Sequence, residues 1–203
     1  MRKSICALVH KPGSTREQFQ RYYEDNHAPL AVGLFPFTRY VRNHLVDPGD
    51  FGWDTISEFW ADDISHAASL MQGPVGDTMR ADEARFMDRS RIAPGGAEEE
   101  ILSAGDPADP LGRRTCLLIE ADPGSDPYFA AHRLAGNLAR DHAGVSIDII
   151  AAWQDPAFPA AAVVWLAGWP TVNPVSFGLH IRVLRAMRVE TPRSALLAQM
   201  AGS

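Results

Sequence analysis

Two periodicities alternate along residues 4–103, and their order is the strongest constraint on the fold. Ser4 to Val9 is an apolar run of strand length, stopped by Pro12-Gly13. Thr15-x-x-Gln18 then has capping-box spacing, so Ser14 or Thr15 opens a helix. Phe19, Tyr22, Tyr23 and Asn26 fall at spacings of three and four and form one face of it. Pro29 is expected to end it, because the residue before a proline avoids helical angles. Phe37 to Val46 has period two, with Tyr40, Arg42 and His44 on one face and Val41, Asn43 and Leu45 on the other. Pro48-Gly49-Asp50 is a turn. Trp53 to Trp60 alternates again, with Ile56, Glu58 and Trp60 opposite Ser57 and Phe59. Asp62 to Met71 reads as a short helix, Val75 to Phe86 as a further helical turn or two, and Glu100 to Ser103 as a last strand. The order β-α-β-β-α-β predicts an α+β, ferredoxin-like unit.

The pattern then restarts. Gly105 to Gly112 has linker composition. Cys6-Ala-Leu-Val-His-Lys-Pro-Gly-Ser14 can be laid over Cys116 to Ser125 with one extra residue in the second copy. A helix from about Asp126 to Arg140 leads to His142-Ala143, an echo of His27-Ala28. Val145–Trp153, Ala160–Trp169 and Gly178–Val189 read as strands, and Thr191–Ser203 as a short helix carrying Leu196, Leu197 and Met200. Two tandem ferredoxin-like units are therefore expected, at 1–104 and 113–203, with 105–112 as linker. Each sheet has a bare face that needs a cover, and two units in one chain can cover each other as an intrachain dimeric α/β-barrel.

Composition narrows the partners. The net charge is -6 and no basic run occurs, which argues against nucleic acid and anionic membranes. Cys6 and Cys116 lie in apolar runs without metal or redox spacing and read as buried free thiols. Met1-Arg2-Lys3 runs straight into a strand, and no apolar stretch reaches the roughly 18 residues of a membrane span, so a cytoplasmic chain is expected. Nucleotide, flavin, serine-hydrolase and zinc-protease motifs are absent. No cofactor is expected, and no metal, although a meeting of His10, His27 and His44 at a metal or haem stays open.

The run Lys11-Pro-Gly-x-x-Arg16-x-x-Phe19-x-x-Tyr22-Tyr23-x-x-x-His27-Ala-Pro-Leu30 resembles the EthD family, as do Tyr40–His44, Ile56–Trp60 and Ala81–Phe86. The likeness covers about residues 1–103; residues 113–190 match only in outline. It implies a dimeric α/β-barrel with a pocket between sheet and helices. It also implies small-molecule chemistry of the cofactor-free cyclase, dehydratase, decarboxylase, isomerase or monooxygenase kind.

His27 is the first candidate for catalysis, because imidazole exchanges protons near neutral pH; a histidine that merely caps helix carbonyls is the other reading. Tyr22 or Tyr23, or Asn43, would steady a developing oxyanion. His44, Glu58, Trp60, Asp82 and Phe86 are candidate substrate contacts, with Trp53 and Phe59 adding aromatic surface. Asn43 and His44 lie on opposite faces, so at most one enters a given pocket. Glu58 reads as an ion pair with Arg42 or His44, and Asp82 with Arg85 as a solvated helical pair. His142 lacks the tyrosines and the Pro-Leu, so the second half is expected to be mainly structural. The expected activity is a lyase-type reaction (dehydration, decarboxylation or cyclisation) on a small aromatic or polyketide-like substrate. A monooxygenase of the same fold, or a non-catalytic carrier, are the alternatives. A homodimer of the fused pair is open.

Overall fold

The computed structural model describes residues 2–120, 126–172 and 180–200, and of 197–200 the backbone only. Its strands are β1 (Arg2–Leu8), β2 (Arg39–Leu45), β3 (Thr55–Trp60), β4 (Ala93–Ile101), β5 (Arg113–Glu120), β6 (Ser146–Ala152), β7 (Ala162–Ala167) and β8 (His180–Glu190). They close into one barrel in the order β1-β3-β2-β8-β5-β7-β6-β4, and every neighbouring pair is antiparallel. Each half of the chain contributes four strands in the same relative order, β4-β1-β3-β2 and β8-β5-β7-β6. The seams are β2 with β8 and β4 with β6.

Period two sorts the side chains. Ile5, Ala7, Leu45, Ile56, Cys116, Leu118, Val163, Trp165, Leu184 and Ala186 fill the barrel interior. Cys6, Leu8, Phe19, Tyr23, Tyr40, Met79 and Phe86 fill a second core between the outer barrel face and the helices of the first half. Leu117, Ile119, Ala131, Leu134, Val145 and Val164 form a third beneath α5 (Pro127–Asp141). Each large apolar side chain so buried contributes about 1.5–3 kcal/mol. Cys6 and Cys116 lie on opposite faces, so their overlay is off by one residue, a slip that turns every side chain of a strand over. The Pro123-Gly124-Ser125 part of that overlay, Gly178, and the side chains of Leu197 and Met200 lie outside the described residues.

Thr15 caps α1 (Arg16–Tyr22) with a reciprocal box to Gln18. Pro29 does not end the helix. A π-turn, Tyr23–His27, passes directly into α2 (Ala28–Leu34). The Ala28 N–H reaches Tyr23 O, five residues back, and the wider turn absorbs the donor that Pro29 lacks. Phe19, Tyr23 and His27 face the sheet, and Asn26 is exposed. The strand expected at Glu100–Ser103 begins at Ala93: Pro94-Gly95-Gly96 pair with β1 rather than break it. Residues 75–86 belong to one helix, α4 (Pro74–Phe86), following α3 (Ile64–Ser69). After β8, α6 (Arg193–Met200) returns to pack on α2, with Leu196 in the helix-side core.

Gly76 lets α4 approach the preceding turn. A Cβ there would lie 2.0 Å from the Met71 carbonyl oxygen. Gly76→Ala is expected to destabilise the protein by about 1–3 kcal/mol, read from the urea midpoint. Among the described residues no helix is long and apolar enough to cross a membrane.

Candidate active site

The π-turn sets the geometry of the helix-side site. It carries His27 over the sheet beside Tyr23, ring centroids 4.9 Å apart, and against Phe86 at 5.0 Å. Such turns occur frequently at functional sites. His27 is 5% exposed. Its Nδ1 donates to Asp82 Oδ2 at 2.8 Å, and the Tyr22 hydroxyl donates to Asp82 Oδ1 at 2.8 Å. Tyr22 is half-buried and stacks on Phe86 at 4.8 Å. Asp82 is therefore no solvated partner of Arg85: it is buried and holds both a phenol and an imidazole. Nδ1 is committed, which leaves Nε2 as the proton-accepting atom of the neutral ring. Burial, opposed by Asp82, lowers the His27 pKa below its ordinary value, so the neutral ring is favoured. Burial and the bond to Asp82 raise the Tyr22 pKa, so the phenol keeps its proton.

Behind this group lies a polar floor. Tyr40 donates to the Tyr23 hydroxyl at 2.9 Å, and Tyr23 shares a hydrogen bond with Ser57 Oγ at 2.8 Å. Both nitrogens of His44 are used, Nδ1 with Thr55 Oγ1 at 2.8 Å and Nε2 with Glu24 Oε1 at 2.7 Å. Arg42 grips the same carboxylate with two nitrogens, and Thr191 Oγ1 accepts from its Nη1. Although burial opposes it, the hydrogen bonds from His44 and Arg42 draw the Glu24 carboxyl down to about 2. His44 thus orients Glu24 rather than offering a free nitrogen. Glu24, Ser57 and Thr55 were not singled out from the sequence. Ser57 shares the strand face of Phe59 in the period-two pattern, so that pattern could have found it.

Asn43, Glu58 and Trp60 lie elsewhere. Strand parity turns all of them into the barrel interior, away from His27. Glu58 is fully buried and takes Lys3 Nζ at 2.5 Å and Arg114 Nη1 at 2.5 Å, not Arg42 or His44. Asn43 donates to Glu58 and to Ile56 O and accepts from Arg114, so its amide is occupied and cannot serve an oxyanion at His27. Trp60 carries Lys3 and Arg39 over its ring. The expected aromatic wall is divided, with Phe59 and Phe86 on the helix side and Trp53 and Trp60 on the barrel side. Asp148 completes the interior layer by accepting from Lys3 and Trp165. Burial, opposed by Lys3 and reinforced by Glu58, raises the Asp148 carboxyl to about 6.

His10, His27 and His44 do not converge. Each has its own carboxylate, Asp54, Asp82 or Glu24, and no metal-binding group of His, Cys, Asp or Glu occurs among the described residues. In the second half His142 is the C-terminal cap residue of α5, which buries the small side chains Ala131 and Ala135. A cleft of about 430 Å³ by Tyr128, Phe158 and Glu120, and one of about 360 Å³ by Arg2, Glu99 and His132, lie away from His27.

Residues 11–90 match the family model of the EthD domain. A solved ethyl tert-butyl ether D (EthD) family protein from Bacillus halodurans C-125 is 20% identical over 49% of this chain and 100% of its own, with a TM-score of 0.40. A candidate monooxygenase from Lactobacillus acidophilus NCFM is 10% identical over 95% of this chain and 96% of its own, TM-score 0.48. A candidate chlorite dismutase is 10% identical over 97% of each chain, TM-score 0.48. No curated protein matches the chain. With the motifs of its first half and the matched span in agreement, residues 11–90 belong to the EthD domain family.

Proposed function

We propose that this chain is a cofactor-independent acid–base enzyme of lyase type, acting on a small aromatic or polyketide-like acid or ketone. The observation that carries the reading is the Tyr22–Asp82–His27 arrangement, in which one buried carboxylate orients an imidazole and a phenol. His27 Nε2 takes a proton from the carbon acid and returns it to the leaving group or the product. Tyr22 spends its one hydroxyl proton on Asp82 and so fixes the carboxylate that orients His27. Asp82 keeps the proton of His27 on Nδ1. Dehydration and aldol-type cyclisation share the enolate that loss of this proton leaves; in decarboxylation His27 takes the carboxyl proton instead, the C–CO2 bond supplies the enolate's electron pair as CO2 leaves, and the same proton returns to carbon. The repeated strand order supports tandem ferredoxin-like units at 1–104 and 113–203, with catalysis in the first and support from the second.

A panel of aryl and polyketide-like β-keto acids and ketones, incubated with the protein in D2O and followed by NMR, tests the reading. At least one member is expected to show catalysed deuteration, CO2 loss or water loss. Asp82→Asn is expected to slow that reaction on the order of 10²-fold or more, because the amide no longer fixes the imidazole tautomer. Oxygen consumption by the turning-over protein would replace this reading with a monooxygenase. Ligand retained unchanged would replace it with a carrier.

A further inference from the structure

The barrel interior is polar towards one end. Arg39 of β2, Arg114 of β5 and Arg188 of β8 share strand parity with the interior residues Val41, Cys116 and Ala186. Asn43 is the register partner of Arg188, and it accepts from Arg114. Glu190 takes both Arg39 and Arg188, and Glu58 takes Arg114. Lys3 shares Glu58 with Arg114 and is also matched by Asp148 and Glu99. At this end guanidinium groups outnumber the carboxylates that serve them. Burial, opposed by Glu190 and helped by Arg114 and Arg39, lowers the Arg188 pKa.

Two donors here have no acceptor among the described residues. Arg114 Nε and Arg188 Nε are both buried and unpartnered, and the Arg114 side chain is 3% exposed. Arg182 Nε is also without a hydrogen bond, but Glu120 lies 3.8 Å from it. A buried N–H on a charged group left without an acceptor is costly, and an anionic acceptor relieves the repulsion between the guanidiniums as well. We propose that the Arg39–Arg114–Arg188 end of the barrel binds one small oxyanion, a carboxylate or a phosphate, which accepts from the Arg114 and Arg188 Nε–H groups. The site is separate from His27, so its fate does not depend on that of the proposed lyase reaction.

The test follows the arginine Nε–H signals of the intact protein by NMR during titration with sodium formate and, separately, sodium phosphate at constant ionic strength. The signals of Arg114 and Arg188, assigned with Arg188→Gln, are expected to shift saturably with at least one anion. A response to formate alone identifies a carboxylate site, to phosphate alone a phosphate site, and to both a general oxyanion site. Arg188→Gln should weaken saturation by about 10-fold or more. Arg2→Gln, at an exposed pair, should leave it unchanged. Signals that stay still would mean that water satisfies the donors, and would overturn the proposal. Equal binding by Arg188→Gln would mean an adventitious ion only, and would overturn it too. The main readout is on the unmodified chain, so a variant that fails to fold does not block the test.

Discussion

Replacing His27 by glutamine is expected to lower kcat/KM by about 10²–10⁴-fold, the usual contribution of a positioned general base. Glutamine can still donate to Asp82, so the Tyr22–Asp82 contact and the packing against Phe86 should survive. What it cannot do is carry a proton. The pH profile gives a second readout. The folded pKa of His27 lies below its ordinary value of 6.5, so the base form persists beneath that pH. The acid limb of kcat/KM should therefore fall below pH 6.5 in the natural chain and vanish from any residual activity of the variant. Stability moves with the same sign. The unfolded imidazole binds its proton at a higher pH than the folded one, so His27 makes stability decline as pH drops from 6.5 towards the folded pKa. His27→Gln removes that part of the acid sensitivity. A profile and rate equal to those of the natural chain would sink the assignment of His27.

The second large effect is expected inside the barrel. Glu58→Gln removes the charge that Lys3 and Arg114 share, and replaces the charged acceptor of the Asn43 amide by a neutral one. Breaking one member out of a buried ionic group costs about 3–5 kcal/mol. For a chain of this size that lowers Tm on the order of 10 °C. Urea unfolding at pH 7 measures it. The pH signs within the layer oppose each other. Although burial opposes it, Arg114 and Lys3 hold the Glu58 carboxyl below its ordinary range, so its contribution is full above about 4.5 and is lost as pH falls through the folded pKa. The Asp148 carboxyl is raised from 3.8 to about 6, so its contribution is full below 3.8 and is lost as pH rises through about 6.

Period two made much of this molecule legible. It separated Tyr40, Arg42 and His44 from Val41, Asn43 and Leu45, and those sets do enter different cores. The Thr15–Gln18 box opened the helix where expected. The misses have physical causes. Pro29 failed as a stop because a π-turn removes the need for its missing N–H. The last strand was expected only from Glu100, because the pairing that carries Pro94-Gly95-Gly96 into it comes from β1 and β6, distant in sequence. Lys3 and Arg114 were invisible as partners of Glu58, since a lysine near a chain start reads as exposed and Arg114 lies across the linker. At the site, His27, Tyr22, Asp82 and Phe86 do come together; Asn43, Glu58 and Trp60 belong to another compartment.

Closure of the barrel by strands of one chain has a consequence for how it can change. When two identical chains close such a ring, every substitution enters twice, once on each side of the axis. Here each enters once. A bulky or charged side chain that suits His27 need not be tolerated at α5, where Ala131 and Ala135 pack. The halves also meet as tethered neighbours, at an effective concentration that for short flexible tethers is of millimolar order, so dilution cannot part them. One side is thereby free to specialise, and the other to act as its permanent counterweight.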